Sequence, residues 1–273
     1  MKVISISGGR SSSMMLKIML DNGQIDKDTI IAFANTGKEQ DETLDFVHEC
    51  GQQWNVPIVW LEYRSSMPKF EVVSYETASR RKGESAGRPF MELLASRQYL
   101  PNPTQRICTA ELKIKTIRRY VRSLGHRGDI PSYIGLRFDE QSRVARKKAQ
   151  NAAGKESEYC YMPLYDLRIT VKERDAFWKS QPFDLKLSSQ ADNCDLCFMK
   201  GKYQLIWAIR ADPEAVEWWI NAEKKSALSA KRKRNAQFRK EYSYTELKHI
   251  AMTQTYLPFF EEPNVSLTCA CTD

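Results

Sequence analysis

The sequence predicts an α/β fold, an open, mostly parallel sheet of about five strands with helices on both faces, extended by a helical C-terminal part. Three observations predict it. Apolar runs of strand length alternate with helical patterns through residue 62. A double-glycine turn joins the first strand to the first helix, and beyond Tyr159 helix start signals dominate.

The elements follow in order. Val3 to Ser7 reads as a strand, Ser11 to Asn22 as a helix closed by Gly23, Thr29 to Ala34 as a strand, Asp41 to Trp54 as a helix and Val56 to Glu62 as a strand. Strands separated by single helices imply right-handed crossovers and parallel pairing. From Tyr63 to Gln105 the pattern dissolves into Ser, Lys, Arg, Gly and Pro, read as a functional insertion or mobile lid, or else a plain solvated loop. A helical pattern returns from Thr109 to Leu124, a strand follows at Ser132 to Leu136, and Cys160 lies in another short strand. Thr170 with Glu173 and Ser243 with Glu246 form capping boxes, and Asp212-Pro213 offers a further helix start. The expected division is a nucleotide-binding α/β region over 1–165, with the insertion near 63–105, and a helical region over 166–273.

The chain has 273 residues, 42% apolar and 28% charged, the composition of a globular protein with a sizeable core. No stretch suggests a signal peptide or a membrane span, so the expectation is a cytoplasmic protein with no membrane partner. In a reducing compartment seven cysteines point to metal, cluster or redox roles rather than disulfides. A net charge of +8 favours polyanionic partners.

The loop Ser7-Gly8-Gly9-Arg10-Ser11-Ser12 carries the first functional signal. Glycines admit close backbone approach and the open amides of a helix start attract anions, so this strand–loop–helix unit suits a phosphate. It is neither the Walker loop nor the dinucleotide fingerprint.

This loop resembles the PP-loop of the adenine nucleotide alpha-hydrolase superfamily, with Ser11 where that pattern has aspartate. Three further segments resemble the phosphoadenosine phosphosulfate (PAPS) reductase-like branch, which includes DNA phosphorothioation proteins. They are Asn35-Thr36-Gly37 with Glu42-Thr43, Arg106-Ile107-Cys108-Thr109 through Lys113, and Gly135-Leu136-Arg137 through Arg143. The resemblance covers roughly residues 1 to 210 and implies ATP or PAPS as the bound nucleotide, with magnesium beside it. On that reading Ser7, Gly8, Gly9, Ser11 and Ser12 cradle phosphates, Asn35 and Thr36 lie near adenine or ribose, and Gly37 and Gly135 belong to the nucleotide site. Arg10, Lys113, Arg137 and Arg143 supply charge, the last two as catalytic groups.

The cysteines form a second constellation. Cys194 and Cys197 make a C-x-x-C, Cys108 lies in the family element, and Cys269 and Cys271 make a C-x-C. With the resemblance, Cys108, Cys194, Cys197 and Cys269 or Cys271 become ligands of a 4Fe-4S cluster, or of zinc, and the other tail cysteine becomes a catalytic thiolate. Cys50 and Cys160 read as core. The reductases' Glu-Cys-Gly-Leu-His tail motif is absent, and Ile107-Cys108 replaces a Cys-Cys pair of the cluster-bearing branch.

The basic run Lys231-Arg232-Lys233-Arg234 is a candidate phosphate-backbone contact, or a solvated face. The expected function is ATP-dependent sulfur transfer to a nucleic acid. ATP adenylates an acceptor oxygen, and sulfur delivered through the cluster or a tail thiolate, with a cysteine desulfurase as partner, displaces AMP. The alternatives are reduction of PAPS or adenylyl sulfate by a thiol reductant, and a non-catalytic nucleotide or nucleic-acid binding protein.

Overall fold

The computed structural model describes residues 1–154, 158–187, 193–229 and 237–254. Six strands, β1 Lys2–Ile6, β2 Thr29–Asn35, β3 Ile58–Tyr63, β4 Phe70–Val73, β5 Ile130–Tyr133 and β6 Glu158–Tyr161, form one sheet in the order β4-β3-β2-β1-β5-β6. All neighbours pair in parallel except β4, which runs antiparallel to β3 at one edge. The helices among the described residues are α1 Arg10–Asp21, α2 Asp41–Gln53, α3 Arg88–Arg97, α4 Lys115–Ser123, α5 Gln141–Ala153, α6 Pro163–Asp166, α7 Val171–Lys179, α8 Lys202–Ala211, α9 Ala215–Ser229 and α10 Tyr244–Thr253. A π-helical turn over Cys108–Ile114 leads into α4.

The sheet is buried on both faces, which explains the near-continuous apolar run of β2. Successive side chains of β1 point to opposite sides. Ile4 and Ile6 join Met15 and Leu16 of α1, Phe46 of α2 and Trp178 of α7, whereas Val3 joins Ala32, Ala34 and the α4 residues Ile117 and Val121.

A second apolar cluster gathers Trp219, Tyr244, Phe198 and Phe238 with Leu93 of α3 and Leu112 of the π turn. The 165/166 boundary expected from sequence therefore does not separate two cores. Trp178 lies in the sheet's layer, and Tyr63, Phe90, Leu93, Leu100 and Leu112 of the first region lie in the helical cluster.

The stretch 63–105 holds β4 and α3, joined and flanked by turns and irregular backbone. Both capping boxes form at α7 and α10. Helix α9 starts at Ala215, while Asp212 pairs with Arg81 at 2.7 Å and Lys82 at 2.9 Å, tying the basic stretch of the supposed insertion to the helical part. At the far edge Asn151 of α5 donates to the Cys160 carbonyl at 2.8 Å and accepts from the Cys160 amide at 3.0 Å. No helix among the described residues is long and apolar enough to cross a membrane.

Candidate nucleotide site

Strands β1, β2 and β3 step outward in one direction, and β5 then returns to the other side of β1. The order reverses between β1 and β5, where open parallel sheets form a crevice beyond the strands' carboxyl ends. The Ser7–Ser12 loop lies there. Gly8 has φ +82°, and a Cβ on it would stand 2.4 Å from Thr43 Cγ2, so both backbone and space require glycine. Ser12 Oγ accepts from the Ser7 amide at 3.1 Å and donates to the Gly9 carbonyl at 3.0 Å, closing the turn on itself. Among the described residues no side chain caps α1, and its first turn has no acidic residue, so its positive end can take an anion.

Gly135 forms the facing wall. A Cβ there would lie 2.6 Å from Ser12 Cα and 2.7 Å from Ser12 N. Its glycine lets the backbone after β5 pack flush against the first turn of α1. Ser7, Ser12, Lys113, Gly135 and Lys147 line the crevice.

The arginines divide. Arg137 is buried and donates from Nη1 to Ser11 Oγ at 3.0 Å, while its Nε meets Asp139 at 2.9 Å and its backbone amide meets Glu140 at 2.9 Å. It braces the loop, with its charge largely matched. Arg143 pairs with Glu140 in the same network. Arg10 turns out of the crevice: its guanidinium grips Asp184 through two bonds of 2.7 and 2.8 Å and also donates to the Leu185 carbonyl. Lys113 faces the crevice and pairs with buried Glu39 at 3.2 Å.

The segment after β2 is internally satisfied. Asn35, fully buried, donates to Glu62 at 2.7 Å and to the Ser79 carbonyl at 2.8 Å, and accepts from Gly37 N at 2.9 Å. Thr36 bonds Glu39 through its amide at 2.9 Å and its hydroxyl at 2.6 Å. Gly37 has φ +74° and packs on Gly87 and Pro89. These residues shape the loop, and their side chains are already committed to it.

The C-x-x-C loop docks on that segment. Glu39 and Cys194 form an antiparallel bridge, with Gln40 N to Asn193 O at 2.6 Å and Asp195 N to Lys38 O at 2.9 Å. Asn193 Nδ2 reaches on to the Ser7 carbonyl at 3.0 Å, so the residue beside Cys194 supports the Ser7–Ser12 loop. Cys194 and Cys197 are buried in the helical cluster and Cys108 packs against it. Burial, then the acidic groups Cys197, Cys194, Glu223 and Asp195, push the Tyr244 phenol well above its ordinary range. No three His, Cys, Asp or Glu side chains are grouped as metal ligands among the described residues. Cys108, Cys194 and Cys197 therefore make no three-ligand group among the described residues. Cys269, Cys271 and the run Lys231, Arg232, Lys233 and Arg234 lie outside the described residues.

Sequence reasoning missed Asn193, Glu39, Lys38 and Lys147. The first is written beside the C-x-x-C, but its partner is 186 residues away. Lys147 looks like one cation in a charged helix and is in fact buried.

No protein-family model matches the chain. The chain is similar to the uncharacterized nin region protein ORF290 of Escherichia phage lambda, 26% identical over 222 residues that span 80% of this chain and 72% of that protein.

Proposed function

We propose that the chain is a PAPS reductase-like enzyme that binds an adenine nucleotide in the β1/β5 crevice and uses it for sulfur transfer to a nucleic acid. The observation that carries the reading is the open N-terminus of α1 at the strand-order reversal, with Gly8 and Gly135 held to glycine on its two sides. Phosphates set against the first-turn amides, with Lys113 beside them, match the arrangement by which helix starts hold nucleotide phosphates. Attack of an acceptor oxygen on the α-phosphorus expels pyrophosphate, whose developing charge the amides and Lys113 stabilise. A sulfur nucleophile then displaces AMP from the activated acceptor.

Calorimetric titration with ATP, PAPS and AMP tests the site. ATP is expected to bind more tightly than AMP, because the cradle takes the added phosphates. Failure of all three to bind overturns the reading. A clear preference for PAPS over ATP replaces sulfur transfer by sulfonucleotide reduction.

A further inference from the structure

Asn193, the residue before the C-x-x-C loop, stands at the start of α1 with part of its side-chain amide uncommitted. It is 8% exposed, and its Nδ2 donates to the Ser7 carbonyl at 3.0 Å. That carbonyl can only accept, which fixes the nitrogen on its side. A carboxamide carries two N–H groups and one acceptor oxygen, and among the described residues the second N–H and Oδ1 have no partner. Both adjoin Gly9, the residue that precedes α1: a Cβ there would stand 3.3 Å from Nδ2 and 3.7 Å from Oδ1. The remaining N–H thus adds a donor beside the unfilled amides of the helix start, where an anion can use both.

The main chain of the same residue is tied to the loop after β2. Its carbonyl accepts from Gln40 N at 2.6 Å, Cys194 bridges Glu39, and Asp195 N donates to the Lys38 carbonyl at 2.9 Å. Residues 193–195 therefore form a short strap between the Ser7–Ser12 loop and the β2 loop, with the C-x-x-C at its end. Glu39 under the strap pairs with Lys113, which lines the crevice. Opening the strap withdraws the Asn193 N–H from the start of α1. An anion bound there has one more donor when the strap is closed, and a ligand shifts an equilibrium by as much as its affinity differs between the two states.

We infer that Asn193 is a phosphate-contacting residue of the nucleotide site, and that through it a bound nucleotide holds the C-x-x-C loop closed. The inference rests on the proposed nucleotide reading. It adds to that reading a ligand contact and a route by which occupancy of the crevice reaches Cys194 and Cys197.

Hydrogen exchange at the strap, with and without saturating ATP, tests it. The Gln40 and Asp195 amides, whose bonds cross the strap, are expected to exchange about tenfold more slowly with ATP, the effect of one N–H donated to a charged oxygen. Asn193→Ala is expected to bind ATP about tenfold more weakly and to lose the ATP effect on the strap. A purely structural role predicts another pattern: faster exchange in both states, with the ratio between them kept. Inorganic triphosphate on the wild type is expected to slow the strap as ATP does, and adenosine is not, a comparison that holds should Asn193→Ala not fold.

An unchanged ratio in Asn193→Ala, or slowing by adenosine and not by triphosphate, overturns the inference. Calorimetry on the same wild-type preparation keeps the two ideas apart. ATP that binds and leaves strap exchange as it was removes the inference alone. ATP that does not bind removes the nucleotide reading, and the ligand assigned to Asn193 goes with it.

Discussion

Lys38 and Asp195 meet at 2.8 Å with side chains 0% and 2% exposed, joining the loop after β2 to the C-x-x-C loop inside the protein. Lys38 Nζ also stands 4.7 Å from the Trp218 ring centre, and Asp195 Oδ1 accepts from Trp219 Nε1 at 3.0 Å and Leu196 N at 2.6 Å. The pair therefore sits where the sheet's loops and the helical cluster meet.

Removing one partner leaves an uncompensated buried charge. Asp195→Ala is expected to lower unfolding stability by about 3–5 kcal/mol, and Lys38→Met with Asp195→Leu to recover most of it. Urea unfolding of the three proteins checks this. A loss within about 0.5 kcal/mol for Asp195→Ala, the range of an ordinary surface change, would show that the ion pair does not anchor the two loops.

Gly135→Val places a branched side chain against Ser12 backbone atoms that a Cβ alone would approach to 2.6 Å. Either α1 shifts or the loop after β5 does, at a cost of about 1–3 kcal/mol. ATP affinity is expected to drop at least tenfold, whereas Gly128→Ala, which meets only His126 Nε2 at 4.0 Å, leaves it unchanged. Equal ATP affinity in Gly135→Val and the wild type would remove this wall from the site.

Glu111 receives Lys115 at 2.8 Å and Arg119 at 3.0 Å and also pairs with Arg97. Burial pushes its carboxyl up, but Lys115, Arg119 and Arg97 outweigh it and hold the pKa below the ordinary 4.5. The folded pKa lies below the unfolded one, so this stabilisation is present above about pH 4.5 and is lost as pH falls through the folded value. Glu111→Gln should be less stable than the wild type at pH 7, with the gap closing in acid. A gap that stays constant from pH 7 to about pH 3 contradicts the assignment.

Burial pushes the Cys50 thiol up to about 12, inside the core formed with Phe46 and Val47. At pH 8 only about one part in ten thousand is thiolate, so native protein should leave Cys50 unalkylated by iodoacetamide while half-buried Cys108 reacts faster. Peptide mapping by mass spectrometry reads both, and urea should expose Cys50. Native labelling of Cys50 at the rate of Cys108 would mean that the α2 core opens readily.

Local chemistry made some elements legible. The strand, double glycine and helix at the start needed only periodicity and backbone freedom, and the capping boxes at Thr170 and Ser243 carry both partners within one turn. Helix α3 escaped because its N-cap is Gly87 at φ +62°, with no Ser, Thr or Asp to announce it. Helix α5 escaped because only Val144 and Lys147 are buried along it, which leaves no apolar stripe. Strand β4 spans four residues, too few for a pattern. At the candidate site Gly8 was readable, since its φ of +82° is a local requirement, whereas Gly135 is held to glycine by Ser12 from a distant element. The commitments of Arg10 to Asp184, 174 residues away, and of Asn35 to Glu62, 27 away, were not, because no local rule says which partner a polar group will meet.

The two bonds between Asn151 and the Cys160 backbone have a consequence for how copies of this chain meet one another. An open edge strand is a template on which a second molecule can extend the sheet, the usual first step of strand-mediated aggregation. At Cys160 the outward amide and carbonyl are already occupied by an amide side chain that imitates a neighbouring strand. A foreign strand would have to displace both bonds and lift α5 before it gained any of its own. The tyrosines of β6 can thus stay exposed to solvent without turning that margin of the sheet into an adhesive one.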